Sequence, residues 1–284
     1  MYMGSLQQKQ EQCSRFGLAL LYLVDYSGIL KGVTEAPASK KPGKPGGIRA
    51  AAREQMNNEI KRIAWGQLRE HGPDELSLRA ISREMDMTSS ALYRYFPNRD
   101  ALLTALIVDA YNDLGDRIDA VDADLPAGAY RARFVALANT ILSWSREDAH
   151  RFGLVYGSPI SGYVAPQDTI NPGTRAQVVL YRLLSEWRGV DQDLAKRSLA
   201  PGTQVQLPPD LEVSLQQAAR EVGIAAPAPV VLVGMKVWSE LMGTIYSTVF
   251  NHFGNEISNG EFGSHLIDVM ANGIFGVDRE PETG

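Results

Sequence analysis

The sequence predicts an all-α protein, with a small N-terminal three-helix bundle followed by a larger helical body. Two observations carry this. From Ile48 onward, apolar residues recur at three- and four-residue spacing. No stretch alternates apolar and polar residues between turn signals, as a half-buried strand does. The chain has 284 residues, 44% apolar and 21% charged, which is enough to build a substantial core.

Residues 1–36 read as one helical segment from about Leu6 to Leu30, interrupted by Gly17. Its apolar run, Phe16 to Val24, ends at Asp25, far short of the roughly 20 residues that cross a bilayer. No membrane association is therefore expected. Pro37 to Gly47 holds three prolines, three glycines and three lysines and reads as a flexible basic linker. Ile60, Ile63, Ala64 and Leu68 mark a first helix over about 49–71, closed by His71-Gly72-Pro73. Ser77 caps a second helix, about 78–85, and Thr88 or Ser89 a third, about 89–95. Pro97 stops the third, and Asn98 caps a fourth over about 99–121, with Leu103, Leu106, Ala110, Leu114 and Ile118 as its apolar stripe. Further helices are expected over about 129–146, 148–156, 174–187, 191–199, 208–222, 228–254 and 261–274. Between the second and third of these the chain breaks at Gly157 and carries Pro159, Pro166 and Pro172, a loop of roughly 16 residues.

The net charge of −5 is unevenly spread. Residues 40–100 hold 12 Lys and Arg against 8 Asp and Glu, whereas residues 101–284 hold 13 against 22. A basic N-terminal third on an acidic remainder suggests that one end meets a polyanion. The single cysteine, Cys13, excludes an intrachain disulfide and fits a cytoplasmic protein.

Residues 77–96, SLRAISREMDMTSSALYRYF, fit a helix-turn-helix. That motif needs two short helices, a small residue where they cross, a tight turn and a polar face for the major groove. Ala80 and Ser82 are the small residues, and Asp86 tolerates the left-handed conformation of the turn. Met87, Ala91 and Leu92 face inward, whereas Thr88, Ser89, Ser90, Tyr93 and Arg94 face outward. Hydroxyls beside free N–H groups at a helix start hold phosphate, and arginine reads guanine or clamps phosphate.

The stretch TSSALYRYFPNRDALL, Thr88 to Leu103, resembles the signature of the TetR family, with Tyr93, Tyr95, Phe96, Arg99, Leu102 and Leu103 at the expected spacing. The resemblance implies that Ser77 and Arg99, each at a helix start, contact phosphates, and that Thr88, Ser89, Ser90, Tyr93 and Arg94 face the groove. Phe96 reads as core, and Tyr95 as either core or contact. Asp86 stands where glycine is usual, and Ser82 where alanine is frequent. In the body, Arg151 to Arg175 is similar to a segment of one TetR subclass. VWSELMGTIYSTVF, Val237 to Phe250, resembles that subclass's dimerisation helix, whose hallmark is a Trp followed by His-Gly. Here Trp238 and Gly243 are present, and Met242 stands in the histidine's place.

The expected organisation is an extension and linker over 1–48, a DNA-binding head over 49–98, an effector-binding and dimerisation domain over 99–275, and a tail over 276–284. Apolar residues nearly all round the helix of 228–254 nominate Met235, Trp238, Met242, Ile245 and Val249 for a homodimer interface. Trp144, Phe152, Tyr156, Tyr163 and Trp187 are candidates to line a pocket for an apolar small-molecule effector. His71, His150, His252 and His265 show no metal-ligand spacing, and no P-loop, GxGxxG or GxSxG is present. No metal, no cofactor and no catalytic set is expected. The leading function is a repressor that binds a palindromic double-stranded DNA operator as a dimer and is released by an effector. The alternatives are a DNA-binding regulator without a ligand, and a helical ligand-binding protein or enzyme with a vestigial head.

Overall fold

The computed structural model describes residues 47–190, 207–221, 223–224, 226–258 and 260–276. The helix expected over Leu6–Leu30, the basic linker before Gly47, the helix expected over 191–199 and the tail from 277 lie outside the described residues. The described residues form helices and loops and no strand.

The head begins with α1 (Ile48–His71), which buries Ile60, Ile63, Ala64 and Leu68 and leaves residues 49–55 exposed. Gly72 closes it at a φ of +79°, a conformation that glycine adopts without strain, and donates its N–H to the Leu68 carbonyl. A 3-10 turn, Pro73–Glu75, leads to α2 (Leu78–Glu84) and α3 (Ser89–Leu92). The long α4 (Arg99–Ala123) then runs from the head into the body.

The body adds α5 (Tyr130–Glu147), α6 (Ala149–Tyr156), α7 (Ile170–Val190), α8 (Pro209–Glu221), α9 (Ala228–Val249), α10 (Asn255–Ser258) and α11 (Phe262–Phe275). Helix α4 packs chiefly on α5 and α7, and α5 on α11. One apolar core runs unbroken from Ile60 in the head through Leu106 and Phe134 to Ile274, so head and body share a seam along α4. A second cluster of Tyr181, Leu215, Ala219, Ile224, Ala228 and Val231 joins α7, α8 and α9. Helix α9 is long and apolar enough to cross a membrane, but it carries Lys236 and Glu240 and seats Val233, Val237, Leu241 and Ile245 in the core. It is read as the core helix of the body.

Three boundaries differ from expectation. The third helix stops at Leu92 rather than near 95, because the residue before Pro97 is biased away from helical geometry. Arg94 and Tyr95 instead close tight turns back to Ala91 and Leu92. Helix α7 starts at Ile170, not 174, since Pro172 sits in a first turn where its missing N–H costs nothing. The preceding loop is correspondingly shorter, and it is anchored by buried Ile160 and Tyr163. Helix α9 ends at Val249, not 254, because Asn251 and Gly254 adopt φ of +57° and +81°.

Two close approaches fix the body. Arg133, 7% exposed, donates to Asp122 at 2.7 Å, Glu186 at 3.0 Å and the Ala127 carbonyl at 3.0 Å, and so ties α4, α5 and α7. The hydrogen bond to Asp122 outweighs burial and pushes its pKa up. At Gly234, an added Cβ would collide with the Tyr181 ring. Gly234→Ala is therefore expected to destabilise the protein by about 1–3 kcal/mol, the range for overpacking, read as a lower melting temperature in calorimetry.

Candidate nucleic-acid interface and the body behind it

The turn-helix pair is built by side-chain caps. Ser77 Oγ accepts from the Ala80 N–H at 3.3 Å, and the Ser77 N–H donates to Gln67 Oε1 at 3.0 Å, which fixes α2 on α1. Asp86 takes a φ of +51°, and the Met87 N–H returns to the Ser82 carbonyl at 2.8 Å, which makes the tight turn. Ser82, 1% exposed, is the small residue at the crossing, and its hydroxyl lies 3.3 Å from that of Ser89. Thr88 Oγ1 accepts from the Ala91 N–H at 3.3 Å and caps α3.

Thr88, Ser89, Ser90, Tyr93 and Arg94 are all exposed on α3 and its last turn, with Tyr93 at 41%. Leu92 and Phe96 are buried. Tyr95 is half-buried, with the Arg53 guanidinium 5.3 Å from its ring centre. Ser77 is half-buried in its capping role. Arg99 is tied into the head itself. It donates to the Pro73 carbonyl at 2.7 Å and lies 3.7 Å from Asp74 and 3.5 Å from Asp100, with its Nε buried and unpartnered. It thus pins the Pro73–Glu75 turn to the start of α4. Arg53 escapes a reading based on spacing, because the residues it meets lie some forty positions away in the chain.

Behind the head, polar ties run into the body. Arg69 of α1 reaches Asp148 at 2.6 Å, and Lys61 reaches Asp109 of α4 at 2.6 Å. Asp148 also caps α6 by accepting the His150 and Arg151 N–H groups, both at 3.1 Å. Burial would raise its pKa, but the hydrogen bonds from Arg69 and from the Arg151 backbone outweigh it and lower the carboxyl. Asp113 gathers the Trp144 indole N–H at 2.7 Å, Arg151 at 2.7 Å and Arg117 at 3.3 Å.

The five aromatic residues expected to line one pocket are spread through the body. Trp144 is fully buried between Asp113 and Arg151, whose guanidinium stacks 4.4 Å from its ring centre. Tyr163 anchors its loop through a 2.9 Å hydrogen bond to Thr104. Trp187 packs edge-on against Phe275. Phe152 and Tyr156 meet, in a group that includes Tyr111, Trp238, Tyr246 and Phe250. In that group the Tyr111 hydroxyl donates to the Val155 carbonyl at 2.9 Å, while the Tyr156 hydroxyl is buried with no partner. Burial pushes both phenols well above their ordinary range, so both stay neutral. An open groove of about 740 Å³ lies elsewhere, lined by residues that include Val121, Asn139, Thr140, Arg146 and Ser264.

On α9, Ile245 is turned fully inward, and Met235 packs against the second cluster. Trp238, Met242 and Val249 are half-buried against the main core. The outward stripe is Ser239, Gly243, Tyr246 and Phe250, and it continues into Phe253 and Ile257. Among the described residues, no group of three or more His, Cys, Asp or Glu is placed to hold a metal.

Residues 62–106 match the family described as bacterial regulatory proteins, tetR family, and residues 134–270 match the family described as tetracyclin repressor-like, C-terminal domain. HTH-type transcriptional regulators of Mycobacterium bovis and Mycobacterium tuberculosis are each 34% identical over 215 residues, covering 74% of this chain and 88% of theirs. The crystal structure of the regulatory protein SCO4313 superposes with a TM-score of 0.63 at 28% identity, covering 82% of this chain and all of that one. A Rhodococcus sp. RHA1 protein of unknown function shares the fold, with a TM-score of 0.53 at 19% identity over 77% of this chain and 94% of its own.

Proposed function

The chain belongs to the TetR family of helix-turn-helix transcriptional regulators, and on that premise we propose that it is a cytoplasmic repressor, dimeric on a palindromic operator and released by a small molecule. The observation that carries the DNA-binding half is the capped α2–turn–α3 unit, with Thr88, Ser89, Ser90, Tyr93 and Arg94 all on its exposed side. A recognition helix with this polar start enters the major groove and sets its register on phosphates. We assign the head to residues 49–98 and the body to 99–275, with α4 belonging to both. Residues 1–48 are assigned as an extension and 276–284 as a tail. Ser77 and Arg99 act on DNA chiefly by holding the head's shape, with Arg99 offering what remains of its fork to a phosphate. The Trp-His-Gly subclass rests on the Arg151 to Arg175 stretch and on Trp238 and Gly243, since Met242 cannot replace a histidine's hydrogen bonds.

The dimer is assigned to the outward stripe of α9, Gly243, Tyr246 and Phe250, backed by half-buried Trp238, Met242 and Val249. The effector site is assigned to the aromatic group around Tyr156 and Trp238, because a buried, unpartnered hydroxyl costs about 1–3 kcal/mol until something bonds to it. The ligand-free reading is favoured by one observation, the near-complete burial of Trp144, Tyr163 and Trp187.

The test begins with selection of bound sequences from random duplex DNA. It should return an inverted repeat whose half-sites lie about one helical turn, or a multiple of it, apart. A single unrepeated half-site would refute the dimeric reading. A compound screen on that complex should then find neutral aromatic ligands that weaken binding about 5- to 150-fold. If every compound that raises the melting temperature leaves the operator complex intact, the ligand-free reading replaces this one.

A further inference from the structure

Arg53 stands near the start of α1, ahead of residue 62, where the family match begins. Its guanidinium lies 5.3 Å from the centre of the Tyr95 ring and donates to the Arg94 carbonyl at 3.3 Å. Both partners sit in the tight turns just past the recognition helix α3, where carbonyls lack an onward helical donor. Arg53 is otherwise exposed, and among the described residues it pairs with no carboxylate.

Three other arginines of the head are neutralised. Arg62 pairs with Glu59 at 2.7 Å, Arg69 with Asp148 at 2.6 Å, and Arg99 lies within 4 Å of both Asp74 and Asp100. Arg53 thus combines a fixed position with an uncompensated charge. A ring face and a backbone carbonyl hold one side of the fork. A guanidinium carries five N–H donors, so most of it stays free for an outside acceptor. It does so beside exposed Tyr93 and Arg94, at the end of the helix read as groove-facing. Holding a long side chain in place before binding reduces the entropy that binding must remove.

We propose that Arg53 is a phosphate-binding residue of the operator complex, pre-organised by Tyr95 and the Arg94 carbonyl, so that the DNA footprint extends past the helix-turn-helix onto the first turns of α1. This rests on the reading of α3 as the recognition helix.

The test uses the full chain and its selected operator duplex, with affinity measured over a series of potassium chloride concentrations. Arg53→Ala should weaken binding on the order of tenfold. It should also lower the slope of log affinity against log salt by about one unit per head. Arg53→Lys should keep the slope but recover only part of the affinity, since an ammonium lacks the planar fork. Tyr95→Leu should lose affinity with the slope unchanged, because the charge remains but its anchor is gone. Affinity within twofold of the parent, at an unchanged slope, overturns the proposal for Arg53→Ala. Tyr93→Ala separates the two readings. If it weakens binding while Arg53→Ala does not, only the role of Arg53 falls. If neither variant changes binding, the assignment of α3 falls with it.

Discussion

Replacing Tyr93 and Arg94 together by alanine is expected to abolish specific operator binding while leaving the oligomer and the melting temperature unchanged. Both side chains point away from the core, so their loss opens no cavity; Tyr93 is 41% exposed and Arg94 is exposed. What holds α3 in place is the Thr88 cap, buried Leu92 and buried Phe96, and none of these is touched. A good base contact contributes about 1–3 kcal/mol. Two such residues in each head of the proposed dimer place the expected loss above roughly a hundredfold. Fluorescence anisotropy with a labelled operator gives the affinity, and ultracentrifugation checks the oligomer. Affinity within a few-fold of the parent would mean that α3 is not the reading element.

Tyr246→Asp combined with Phe253→Asp is expected to split the proposed dimer and, through it, to lower operator affinity by a similar factor. The two rings are 36% and 46% exposed, with Phe250 between them at 37%, an aromatic surface that a lone soluble chain has little reason to present. Burying an unpaired carboxylate against its symmetry mate costs several kcal/mol. A lone protomer then holds one half-site and loses the gain from linking two heads. Sedimentation at micromolar concentration should show monomer, with helical content by circular dichroism unchanged. A persistent dimer would move the interface away from α9.

The sequence made the head legible because its boundaries are written in short-range chemistry. Ser77, Thr88 and Asn98 each accept the N–H three residues on, and Asp86 and Gly72 take the left-handed turns. Such caps depend only on neighbours in the chain. The body was less legible, because there the same residue types serve several partners. Helix α9 is apolar nearly all round, so periodicity alone does not tell which side meets its own core. Ile245 went inward, and Tyr246, one residue on, went outward. The aromatic residues expected in one pocket were separated by which helices happen to face one another, a property of tertiary packing. The end of α9 was missed because Asn251, not a glycine or a proline, makes the left-handed stop. The start of α7 lies four residues ahead of the expected one because Pro172, a breaker within a helix, fits a first helical turn.

The pairs Arg69–Asp148 and Lys61–Asp109, together with the core shared along α4, bear on the speed of DNA capture. A head on a slack tether samples many orientations, and each encounter with DNA must find the right one. Here each head is tied to its body by charge at two points and by an apolar seam, so its orientation is set before the encounter. In a dimer of such subunits, once one head lands, the second is already near its half-site, and its arrival becomes an intramolecular step at high local concentration. Recognition time would then be governed by the search along DNA rather than by rearrangement of the protein. An effector that loosens either tie would lengthen that second step before it altered any contact with a base.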